Sequence, residues 1–154
     1  MKGQKVAAKK NWILRRKKAL ELWVKEVSPL MGLADWTIHY DWSGNEHTHP
    51  GHEGWPAAFA TMTPYPSSKH VVLSVSRELL DLPPKEAHQV LVHELVHCHL
   101  FSLHEFSSGS FAMAAGRNSL ALKLYESSLT QHIEEITDAL ADSFAPLLPM
   151  ASFA

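Results

Sequence analysis

The chain has little of what holds small stapled or metal-rich modules together. A single cysteine, Cys98, excludes an internal disulfide framework and any zinc module built on several cysteines. No run of about 18 apolar residues occurs, so no membrane-spanning helix is expected. The basic start lacks the apolar stretch of a secretory leader, and a cytoplasmic protein is the expectation. Charged residues make up only 19% against 45% apolar, a balance that argues against disorder. A length of 154 residues suits one domain with its own core. We expect a basic, mobile N-terminus over residues 1–10 and a single domain over 11–150.

Histidine is what the chain has in excess, with 11 residues. Charge is also unevenly placed. Residues 1–26 hold Lys2, Lys5, Lys9, Lys10, Arg15, Arg16, Lys17, Lys18 and Lys25 against Glu21 and Glu26, which gives the head a net positive charge. The rest of the chain is acidic. A basic head can contact nucleic acid or an acidic partner through residues 2–25, or it can be the solvated face of a first helix.

Apolar residues at helical spacing (Trp12, Ile13, Leu20, Trp23, Val24, Val27) predict a helix to about residue 27, closed by Ser28-Pro29. Three β-rich segments follow: 36–42, 57–63 (cut off by Pro64 and Pro66) and 70–75. Pro83-Pro84 predicts a helix start, with the helix running from about Lys85 to His104 and broken at Ser107-Ser108-Gly109-Ser110. Residues 111–118 are ambiguous. A last helix is expected from Ser119 to about Leu147, with Leu129, Ile133, Ile136, Leu140, Phe144 and Leu147 on one stripe. Strands followed by helices predict an α+β fold.

Within the second long helix stands His93-Glu94-Leu95-Val96-His97, an HExxH motif. Residues four apart share a helix face, so both imidazoles can reach one cation. Zinc takes neutral imidazole and, in catalytic sites, three protein ligands and an open position for water. Glu94 is placed to act as general base on that water. His104 lies about 10 Å along the helix axis from His97, too far to share the ion. The third ligand is expected from the last helix. Glu134 is the first candidate, with Asp138 one turn on to orient a ligand imidazole; Glu135 is the rival and His132 the outside candidate. A loop cluster, His47, His49 and His52, could hold a second metal or simply be solvated. Cys98 reads as a small apolar filler.

These residues give the chain a resemblance to gluzincin-type zincin metallopeptidases, which pair HExxH with a glutamate on a later helix in an ExxxD pattern. Here that pattern is Glu134 to Asp138. The chain is also similar to small single-domain HExxH proteins of phages and bacteria. It resembles the ImmA/IrrE group in its Phe144-Ala145-Pro146-Leu147-Leu148-Pro149 tail, although Ala141-Asp142 stands where that group has Ala-Asn. The resemblance implies a minimal zincin-like α+β domain with an N-terminal helix, a small three-stranded sheet, an active-site helix and a C-terminal ligand helix. It implies a zinc-dependent peptidase in which Zn2+ is held by His93, His97 and Glu134. Water activated at zinc attacks a peptide carbonyl of a protein or peptide substrate, with Glu94 as the base. By the same analogy, strand 70–75 would hold the substrate backbone and a separate donor would steady the oxyanion; the residues leave that donor open, with Tyr125, His88 and His99 as candidates. The alternative is a regulatory or DNA-associated protein of zincin fold that uses its basic head.

Overall fold

The computed structural model describes residues 2–42 and 59–150, with side chains from Asn11 onward. Along the chain run α1 (Lys2–Leu30), β1 (Thr37–Asp41), β2 (Ala60–Tyr65), β3 (His70–Val75), α2 (Arg77–Asp81), α3 (Pro84–Ala115) and α4 (Leu120–Phe144). This is an α+β arrangement, as the order of segments predicts. Among the described residues no helix is long and apolar enough to cross a membrane. The His47, His49 and His52 cluster lies outside the described residues, as do the first residues of the expected second strand.

Helix α1 buries the periodic face that the sequence marks, with Leu20, Val24 and Val27 fully inaccessible. It starts at Lys2, well before the apolar periodicity sets in at Trp12, and runs one turn past the expected end. Gly32 then turns the chain with φ +74°, a left-handed backbone that glycine adopts freely. Part of the basic head is engaged by the fold itself. Arg16 donates to the Leu80 carbonyl and lies over the Trp12 ring, and Lys17 lies over Trp42.

The sheet has the order β1-β3-β2. β1 runs parallel to β3, with Thr37 opposite His70, and β2 runs antiparallel to it, with Ala60 opposite Val75. Alternation places Val71, Leu73 and Val75 on the buried face. Both edges of β3 are therefore paired. The expectation that β3 holds a substrate strand is corrected on this ground, because no row of free backbone groups is left on it. β2 is the edge strand beside α3.

β2 also continues through Pro64 to Tyr65, past the expected stop. The Ser76 amide donates to the Phe59 carbonyl at 2.9 Å, which fixes the parity. Phe59, Thr61, Thr63 and Tyr65 turn their backbone polar groups toward β3, and Ala60, Met62 and Pro64 turn theirs to the edge that no other described strand pairs with, called the open edge below. The amide that proline lacks is thus one the sheet does not use.

Helix α3 does not break at 107–110. It continues to Ala115 because α4 packs antiparallel to it: Ser108 Oγ donates to Glu126 Oε1 at 2.8 Å, and Phe111 stacks on Tyr125 with centroids 4.2 Å apart. These contacts outweigh the cost of a helical glycine, about 1 kcal/mol. The turn that follows uses Gly116 at φ +88°, and Ser119 caps α4 by accepting from the Leu122 amide at 3.0 Å. Ser119→Ala is expected to cost about 1 kcal/mol and to lower the melting temperature by roughly 3 °C. An unchanged calorimetric melting point would remove the cap from the account.

Of the expected stripe Ile133 is buried, but the other buried residues of α4 are Leu122, Thr137 and Ala141. Ile136, Phe144 and Leu147 stay exposed. Small Thr137 and Ala141 let α4 approach α3 closely, and that rotation brings the acidic residues of α4 over the HExxH turn of α3.

Candidate metal centre

His93 and His97 stand on the same face of α3, with ring centroids 4.8 Å apart and their Nε2 atoms 3.1 Å apart. From α4, Glu134 Oε2 comes within 3.3 Å of His93 Nε2 and 3.6 Å of His97 Nε2. Three donor atoms therefore form a nearly equilateral triangle. A tetrahedral ion at zinc-to-ligand distances of about 2.05 Å needs donors about 3.3 Å apart. The triangle has that size.

Asp138, one turn after Glu134, accepts from His93 Nδ1 at 2.8 Å. A proton held at Nδ1 leaves the Nε2 lone pair free to point at a cation. Burial opposes protonation of His93. The hydrogen bond to Glu134 and the charges of Glu94, Glu134 and Asp138 outweigh it and hold the imidazole pKa above its ordinary value. A cation at this triangle would take the place of that proton.

Glu94 is the second carboxylate near the imidazoles, within 4.8 Å of both, and the cluster His93, Glu94 and His97 can hold a metal ion. Glu134 is the nearer of the two carboxylates in a donor's position. Glu94 is 6% exposed and accepts a hydrogen bond from the Met62 amide, one of the backbone groups turned to the open edge of β2. Burial pushes its carboxyl up to about 8; His93 and the Met62 amide pull against that, and Glu134 adds to it. The arrangement sets a buried carboxyl group beside the triangle and ties it to the edge strand.

The rival ligands turn elsewhere. Glu135 accepts from Gln131 at 3.0 Å on the exposed side of α4, and His132 Nδ1 meets the Ser128 carbonyl at 2.7 Å. The three residues expected to steady an oxyanion are likewise placed away from the triangle. His88 is buried against Trp23, with Nε2 on the Ala145 carbonyl; His99 Nε2 is on the Met31 carbonyl; Tyr125 stacks on Phe111 near the far end of the helix pair. What the sequence leaves out is the contact of Met62 with Glu94, since nothing in residues 60–65 marks an amide as facing a carboxylate.

Cys98 lies beside the motif but is 3% exposed, and burial together with the charge of Glu94 pushes its thiol up to about 12. Iodoacetamide at pH 8 is expected to alkylate it at least ~100-fold faster in unfolded than in native protein. Native labelling within a few-fold of the unfolded rate would contradict this burial.

Comparison of the chain with protein-family models, with curated proteins and with solved structures finds no match.

Proposed function

We propose that the protein is a zinc-dependent metallopeptidase whose ion is held by His93, His97 and Glu134. The observation that carries the reading is the donor triangle, whose sides of 3.1, 3.3 and 3.6 Å fit a tetrahedral zinc. The hydrogen bond from His93 to Asp138 supports it, since ligand imidazoles are usually oriented by such a carboxylate. When bound, the ion supplies Lewis acidity toward water and a carbonyl oxygen. Glu94 takes the proton of the attacking water and passes it to the leaving amine. The edge of β2 that no described strand pairs with suits an extended peptide, which would add as a strand bonding to Ala60 and to the Met62 carbonyl. That edge borders Glu94 through the Met62 amide, so a peptide laid there passes the general base.

The test is zinc per chain by plasma mass spectrometry on tag-free protein, with His97→Ala beside it, followed by a screen of unfolded proteins and peptide libraries. About one zinc per chain fewer in the variant than in the wild type, together with chelator-sensitive cleavage that the variant lacks, is the expected result. Zinc unchanged by His97→Ala would overturn the site. A fully metallated protein that cleaves nothing in the screen would overturn the peptidase assignment.

A further inference from the structure

The face of the sheet away from the helices carries Thr37, His39 and Asp41 on β1, His70, Val72 and Ser74 on β3, and Thr61, Thr63 and Tyr65 on β2. It is polar except for Val72 and Tyr65, and both histidines on it are exposed. β1 and β3 are parallel and Thr37 is opposite His70, so His39 is the diagonal neighbour of His70 on this face. The two imidazoles meet, with centroids 5.4 Å apart and planes tilted by 36°.

That separation has a chemical meaning. An imidazole bound at the usual zinc-to-nitrogen distance has its centroid about 3.2 Å from the metal. Two such rings at a tetrahedral angle lie about 5.2 Å apart. The pair at the triangle, His93 and His97, is 4.8 Å apart. The His39 and His70 rings, at 5.4 Å, lie close to that separation, near enough for one ion to reach both. Asp41, two residues along β1 on the same face, adds negative charge nearby, with its Oδ2 accepting from Ser74 Oγ at 3.4 Å.

We infer that His39 and His70 form a second, solvent-open site for a divalent transition-metal ion such as Zn2+, with two protein nitrogens and the other positions left to water. The site is built from β1 and β3 alone. It does not depend on the metallopeptidase reading, and an ion there would persist in protein lacking His93 and His97.

The experiment is equilibrium dialysis against Zn2+ with plasma mass spectrometry. It compares the wild type, His39→Ala, His70→Ala, a His93→Ala/His97→Ala double variant, and a variant with His47, His49 and His52 all changed to Ala. Both single substitutions are at exposed positions, and circular dichroism melts confirm folding. The expected result is an ion whose affinity falls at least tenfold in each single variant and is unchanged in the other two. In wild-type protein, the long-range nitrogen resonances of His39 and His70 should shift together during the titration. Retention of this ion in either single variant would overturn the proposal. So would its loss in the loop variant, or no uptake beyond the first ion.

Discussion

Glu94→Gln is expected to lower hydrolysis by about 10²- to 10⁴-fold, the range of a lost general base, while leaving zinc content unchanged. The amide keeps the shape and can still accept from the Met62 amide, but it cannot take a proton. The same change should make the metal-free protein more stable at pH 7. The native carboxyl titrates near 8 against 4.5 in its ordinary state. Between those values the unfolded chain has released the proton and the folded chain still holds it, so the folded state loses stability as pH rises from 4.5 to 8. At pH 7 that loss is on the order of 3 kcal/mol, and Gln avoids it. The gain should disappear below pH 4.5. Urea melts of chelator-treated protein at pH 7 and pH 4 measure this directly. A variant no more stable than wild type at pH 7 would show that Glu94 is not held in an apolar surround. A variant with full activity would remove it from the chemistry.

Glu134→Ala is expected to weaken zinc binding by more than ~100-fold, because it removes one of three donors and leaves two imidazoles that an exposed pair could match. Asp138→Asn acts one step further out, through the orientation of His93, and should cost about 10- to 100-fold. Glu135→Ala is the internal control, since that carboxylate is bonded to Gln131 on the other side of the helix. Competition with a chromophoric chelator gives all three affinities in one assay. An order in which Glu135→Ala costs more than Glu134→Ala would replace the third ligand and with it the triangle.

The spacing of residues alone determined a good part of this molecule. Four residues are a little more than one helical turn, so His93 and His97 share a face wherever α3 packs. The β-rich composition of 70–75 marked β3 as a strand, and the single cysteine left no internal disulfide to hold the fold. The tertiary structure decided the rest. The choice among Glu134, Glu135 and His132 depends on how α4 is rotated against α3, and that rotation is set by small Thr137 and Ala141 at the contact. The apolar stripe from Leu129 to Leu147 points to another rotation, because periodicity weighs side chains by hydrophobicity and takes no account of how closely two helices must approach. The helix through Ser107–Ser110 and the strand through Pro64 have the same cause. Local propensity disfavours both, and each is held by packing against another element: α4 for the serines, β3 for the edge strand. Local rules act through bonds a few residues apart, whereas the metal centre closes across some forty residues, where only packing brings the donors together.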